Sequence, residues 1–207
     1  MGSKRRCRTR RPARASAHLD PKPRILVVCE GTNTEPQYVN GFRRWIRNPR
    51  VDVEISREHG VPLTLVRKAK AMKKEAEERA RRGDDENIAY DQVWCVFDVD
   101  DHPNLNDAKV MAKDNGILCA ISSPCFELWL LLHFRDNPGM QHRRDINRML
   151  VAFIPDYDKG IKFEQFKAGY ADAVVRAERM DQQAAEVRED GRNPTTNVYQ
   201  LTRSIER

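Results

Sequence analysis

The stretch "QVWCVFDVDDHPN", Gln92–Asn104, carries five apolar residues among its first seven and then three carboxylates, Asp98, Asp100 and Asp101. A continuous apolar run of this length predicts a strand covered on both faces, as in a parallel sheet. A buried strand has no structural need to end in three negative charges, so its exit is a candidate site. Working outward, "RILVVCE" from Arg24 is a run of the same kind, "VDVEIS" from Val51 alternates as a further strand, and "GILCAIS" from Gly116 reads as another. Helical spacing separates these runs. "TEPQYVNGFRRWIR" presents Tyr38, Phe42, Trp45 and Ile46, and "VPLTLVRKAKAMKKEAEERARR" presents Leu63, Val66, Ala69 and Met72 before ending near Gly83. "LNDAKVMAKDNG" is a short helix stopped by Gly116. The alternation predicts an open, mainly parallel α/β sheet with helices on both faces.

Beyond Ser123 the strand signal fades. "PCFELWLLLHF" is expected to be a helix with Ser123 as N-cap and Pro124 at its first position. "RRDINRMLVAFI" and "GYADAVVRAERMDQQAAEVRED" follow as helices, and "TTNVYQLTRSIER" as a last one opened by Thr196. The expected organisation is a basic arm over 1–23, an α/β domain over 24–123 and a helical C-terminal extension over 124–207 packed on it.

The net charge of +6 is unevenly spread: residues 1–24 hold nine Lys/Arg against one acid, a balance of +8, which leaves −2 for the remainder. The arm, with Lys4, Arg5, Arg6, Arg8, Arg10 and Arg11 at its head, is poor in apolar residues and is expected to be disordered alone and attracted to the phosphates of nucleic acid. A solubilising tail is the plainer alternative. The longest apolar run, "FELWLLLHF", is shorter than the roughly 18 residues a membrane-spanning helix needs. No membrane association is expected. Five scattered cysteines without a CxxC pair suit a reducing cytoplasm and free thiols, and Cys119, Cys125 and His133 lack a zinc-ligand spacing.

Open α/β sheets bind ligands just outside the carboxyl ends of their strands. "VVCEG" places Glu30 at the exit of the first strand, and "VFDVDD" places Asp98 and Asp100 at the exit of the third. Residues two apart in an extended segment face the same side, about 6.5 Å apart along the chain. Gathered at one sheet edge, these acids would raise one another's pKa unless a cation lay between them. Mg²⁺ or Mn²⁺, which takes oxygen ligands and keeps several waters, suits such a set. Read one at a time, the same residues also fit a polar strand exit before Pro103, and a loop with Thr34 as helix N-cap. Glu127 lies in the first turn of a helix apolar nearly all round, so burial would require it to be paired. The alternative for Glu127 is simple stabilisation by the helix dipole.

"ILVVCEGTNTEPQY" and "VFDVDDH" together resemble the glutamate and DxD motifs of the TOPRIM domain, the metal-dependent fold of topoisomerases, primases and several nucleases. "SSPCFELWLLLHF" and "NPTTNVYQL" are similar to the C-terminal signatures of RloB-like proteins, a bacterial TOPRIM family associated with restriction and anti-phage defence loci. The likeness covers residues 24 to 207, with one departure at Ser123, where the family pattern SNPxFE carries Asn. The resemblance implies a TOPRIM-like (Rossmann-like) fold in which Asp98 and Asp100 hold Mg²⁺. It implies that Glu30 is a general acid or base or completes the metal shell, and that Glu35 is the second acid of the "GxxTE" pattern. Glu127 would support the acidic cluster, and His102, next after the DxDD run, would contact a phosphate or move a proton. The plainer alternatives are a helix-start acid for Glu35 and a solvated turn histidine for His102. His133 is a further possible site residue.

The expected activity is metal-dependent cleavage of phosphodiester bonds in RNA or DNA, with tRNA one RNA the family suggests, by an anti-phage effector. A sensor, ATPase or restriction-system protein is the expected partner. The first alternative is a non-catalytic nucleic-acid-binding or assembly subunit with a vestigial site. The second is a haloacid-dehalogenase-type phosphatase, which the third-strand position of "DVDDHPN" and the lack of a Gly-Thr turn after it disfavour. No aromatic-rich sheet face of the kind that reads single strands is visible.

Overall fold

The computed structural model describes residues 22–83, 88–99, 104–158, 160–189 and 191–207. Its strands are β1 (Arg24–Cys29), β2 (Asp52–Ile55), β3 (Gln92–Asp98), β4 (Leu118–Ser123) and β5 (Thr195–Thr196). Its helices are α1 (Thr34–Ile46), α2 (Pro62–Arg81), α3 (Leu105–Asp114), α4 (Glu127–Leu131), α5 (Arg143–Val151), α6 (Tyr170–Glu186) and α7 (Val198–Glu206). The strands form one sheet in the order β2-β1-β3-β4-β5, parallel except for β5. This is the open, mainly parallel α/β sheet that the strand–helix alternation predicts, in the Rossmann-like form that the resemblance implies.

Alternation along each strand divides the core into two layers. Ile25, Val27 and Cys29 of β1, with Trp94 and Val96 of β3, pack against α1, α4, α5, α6 and α7. Leu26 and Val28, with Val93, Cys95 and Phe97, pack against α2 and α3. Both faces are therefore covered, which is why these strands read as unbroken apolar runs. Each such side chain, fully withdrawn from water, stabilises the fold by about 1.5–3 kcal/mol relative to exposure. Cys29, Cys95, Cys119 and Cys125 are free thiols. Among the described residues no helix is long and apolar enough to cross a membrane.

Two expectations about the C-terminal part are corrected. The helix expected from Pro124 begins at Glu127 and spans only five residues, and Ser123 is the last residue of β4, joined to Pro124 by a cis peptide. Ser123 is extended because it pairs with Thr195, and a residue before proline is in any case turned away from the helical region. Thr196 does not open the last helix. Thr195 and Thr196 add an antiparallel strand to β4, and Asn197 stands at the N-cap position of α7. The C-terminal segment thereby closes the edge of the sheet as well as covering its face.

Candidate functional site

The strand order places the site. From β1 the chain passes through α1 to β2 on one side, then through α2 to β3 on the other, so a topological switch lies between the carboxyl ends of β1 and β3. Crevices at such points are where doubly wound sheets bind ligands. Glu30 follows β1 directly and Asp98 ends β3. The backbone N–H of Glu30 donates to Val96 O (2.8 Å), and Glu30 Oε2 accepts from the backbone N–H of Asp98 (3.0 Å), so the two strand ends are tied together. Asp98 shares its strand face with Trp94 and Val96 and so looks toward the α1 and α4 layer.

A cavity of about 280 Å³ opens there, lined by Glu30, Thr34, Glu35, Asp98, Glu127 and Arg143 among others. Glu35 is 8% exposed, in the first turn of α1, and its Oε1 accepts from the Gly31 N–H at 3.2 Å. A Cβ on Gly31 would stand 2.5 Å from Glu35 Oε2, so the glycine leaves room for this carboxylate beside the loop. Glu127 is buried, and its Oε1 accepts a 2.8 Å hydrogen bond from the Tyr157 hydroxyl. Burial of this acid is thus matched by a partner, as a carboxylate in an apolar surround requires.

The electrostatics are those of crowded acids. Burial pushes Asp98 well above the usual carboxylate range, the charges of Glu127, Glu35 and Glu30 push it further, and Arg143 offsets part of the rise. The guanidinium Nη2 of Arg143 lies 3.3 Å from Asp98 Oδ2. Glu35 is raised by burial and by Glu127 and Glu30, while its own backbone N–H and that of Gly31 act against the rise. The thiol of Cys125, buried next to Glu127, is also raised, by burial first and then by the neighbouring acids. The phenol of Tyr157 is raised by burial and by Glu127.

Four of the sequence-derived residues, Glu30, Glu35, Asp98 and Glu127, are therefore brought to one cavity. Asp100, Asp101 and His102 lie outside the described residues, as do Lys4, Arg5, Arg6, Arg8, Arg10 and Arg11. His133 points elsewhere. Its Nδ1 lies 2.9 Å from the Trp129 carbonyl and its Nε2 3.0 Å from the Tyr38 hydroxyl. A carbonyl cannot donate, so Nδ1 carries the proton and Nε2 accepts from Tyr38. Burial holds this imidazole down to about 4. It is a satisfied core histidine.

Arg143 and Tyr157 are absent from the sequence-derived set. A cation at the first position of α5 opposes the helix dipole, which is a legible sign that an acid outside the helix faces it. Tyr157 lies in irregular chain after α5, and no spacing connects it to Glu127.

The donors fit a hard divalent cation by their chemistry, since all are carboxylate oxygens, and Asp98, 13% exposed, is raised by burial and then by the neighbouring acids. Among the described residues no group of three His, Cys, Asp or Glu is arranged to hold a metal ion. Glu30 and Asp98 face the shared cavity, and the third acid of the expected set, Asp100, is outside the described residues.

A doubly wound sheet with an acid-lined crevice at its switch point defines the class: a Rossmann-like α/β protein with a built polar site. The family model of RloB-like protein matches residues 25–205, and the chain belongs to that family. No curated protein and no solved structure gives a significant match.

Proposed function

We propose that the protein is a Mg²⁺- or Mn²⁺-dependent nuclease of the TOPRIM type, acting on RNA or DNA as an effector of anti-phage defence. The observation that carries this reading is the convergence of Glu30, Glu35, Asp98 and Glu127 on one cavity at the switch point, with Arg143 among them. Glu30, Asp98 and Asp100 would hold the ion, which when bound supplies Lewis acidity toward a phosphoryl oxygen. Glu35, whose proton is held more tightly than in water by burial and by the neighbouring acids, is suited to take up and return a proton. Glu127, fixed by Tyr157, would position the neighbouring acids and keep the cavity negative. The planar guanidinium of Arg143 matches two phosphate oxygens and would exchange Asp98 for substrate.

The test is to sequence the ends of cellular RNA and DNA after induced expression of the wild type beside Asp98→Ala. New 5′ or 3′ ends in one polymer, present with the wild type and absent with Asp98→Ala, are the expected result. Identical ends in both would instead favour a binding or assembly subunit.

A further inference from the structure

The geometry points to a second, basic groove that holds single-stranded nucleic acid leading out of the acidic cavity; the assignment rests on the nuclease reading for its direction, and on its own residues for its ligand. The groove, about 910 Å³, runs between α1 and the segment that precedes α6. Arg44, Trp45 and Arg47 form one wall, and Lys162, Phe163 and Lys167 form the other. Lys167 is held by Glu164 at 2.5 Å, whereas among the described residues no acid is paired with Arg44, Arg47 or Lys162. Uncompensated cations lining a concave surface concentrate polyanions there.

Trp45 distinguishes a nucleic-acid strand from a simple anion. Its indole is partly buried against Phe42, Phe163 and Tyr170 and is still part of the groove lining. An indole held in place by other rings and set between cations offers a surface on which a base can stack, while the cations take the phosphates. Stacking requires an accessible base face, which a single strand provides.

Local geometry keeps the walls close and the charges in place. A Cβ on Gly41, in the middle of α1, would stand 2.2 Å from Phe163 Cβ. The glycine is what lets the two walls approach. Arg47 ends the helix at φ 49°, where glycine is the usual residue, and its Nε donates to Arg44 O at 3.2 Å. A large cation therefore occupies a position that backbone sterics would give to glycine.

Both walls also reach the acidic cavity. One is α1, which carries Glu35 in its first turn and Arg44 nine residues on, about 13.5 Å along the axis or roughly four stacked nucleotides. The other wall begins at Ile161, four residues after Tyr157, whose hydroxyl is bonded to Glu127 of the cavity. Glu35 faces the sheet and Arg44 the solvent, so a strand in the groove crosses the start of α1, at exposed Thr32 and Asn33, to enter the cavity.

The experiment uses the full chain carrying Asp98→Asn, so that a bound strand stays intact. Binding of fluorescein-labelled single-stranded RNA and DNA of about 12 nucleotides, and of a duplex of equal length, is followed by anisotropy across a salt series, with and without Arg44→Gln/Lys162→Gln. The double substitution is expected to weaken single-strand binding at least tenfold and to flatten the log K against log salt slope by about 1.4, two phosphate contacts at about 0.7 each. Trp45→Leu is expected to weaken single strands more than duplex. The preferred polymer is the one bound more tightly by the unsubstituted groove. An unchanged affinity and salt slope in a double variant that melts like its parent overturns the groove. Should that variant melt early, Arg47→Gln/Lys162→Gln is read by the same criteria. A wild type that cuts neither polymer yet depends on these cations for binding removes the nuclease reading and keeps the groove. A chain that cuts but binds independently of them does the reverse.

Discussion

Glu127 shows how much a single carboxylate can report about the cavity. It is 3% exposed, accepts from Tyr157, and contributes to the raised pKa of both Asp98 and Glu35. If it shapes the site, Glu127→Gln should fold normally, because the amide keeps the shape and an acceptor for Tyr157, and the proposed nuclease activity, or growth arrest on induction, should fall about a hundredfold or more. A purely local helix-start role would cost about 0.3–1 kcal/mol of stability and leave activity intact. Activity and melting temperature are measured together, with Glu30→Gln alongside. Full activity in Glu127→Gln beside a dead Glu30→Gln would assign Glu127 to structure alone. Asp98 gives a pH test. Its folded pKa lies well above the roughly 3.9 of an unfolded aspartate, so the folded state holds the proton more tightly. Its contribution favours folding at acid pH and is lost as pH rises from about 4 through the folded value. Without added divalent ion, the melting temperature of Asp98→Asn should therefore exceed that of wild type by a margin that grows with pH. A margin that is constant or shrinks removes the electrostatic account. His133 titrates in the other sense, losing stability as pH falls from about 6.5 toward its folded value of about 4, but it is common to both chains and cancels in the comparison.

Among the elements, β5 is the smallest and the one whose placement carries most consequence. Two residues, Thr195 and Thr196, pair with Ser123 and Ser122, and the side-chain oxygens of Ser122 and Thr196 meet at 2.8 Å. Asn197 then extends the ladder with its side chain: Oδ1 accepts from Ile121 N at 2.5 Å and Nδ2 donates to Cys119 O at 3.1 Å. Its own backbone N–H donates to Ile121 O at 3.1 Å. One amide side chain thus substitutes for a further strand residue along β4. Asn197→Ala leaves a donor and an acceptor of β4 without these partners, and should cost about 1–3 kcal/mol in urea or guanidinium unfolding. Asn197→Asp retains an acceptor for Ile121 but opposes the Cys119 carbonyl, so it should also destabilise. A loss below about 0.5 kcal/mol in both variants, the range of an ordinary surface substitution, would show that water replaces the side chain without penalty.

For the whole molecule, the crowding of acids predicts that a bound divalent ion stabilises the fold. At 100 times its dissociation constant a ligand contributes about 2.7 kcal/mol, and for a chain of this size that corresponds to a rise of about 5–10 °C in melting temperature. Mg²⁺ or Mn²⁺ should produce such a rise in the wild type and little or none in Asp98→Asn. Equal rises in both would place the ion elsewhere. The experiment also separates the cavity from the basic arm, since the arm has no part in this response.

The sequence by itself determined the parallel α/β sheet and the acids at its strand ends. Strands buried on both faces must be apolar throughout, helices between them must show a 3.6-residue period, and a charge directly after such a strand stands out against both patterns. Glu30, Asp98 and, from the apolar helix around it, Glu127 were legible for that reason. Tertiary structure alone decided what meets what. Arg143 reaches Asp98 across 45 residues and Tyr157 reaches Glu127 across 30, and neither separation leaves a periodic trace in the chain. His133 shows the converse, a residue with site-like chemistry whose partners, Tyr38 and Trp129, turn it into the core. The two threonines of β5 read locally as a helix start, because a strand of two residues is stabilised almost wholly by its partner. Only the position of β4 beside it, with an open edge to pair, makes it a strand.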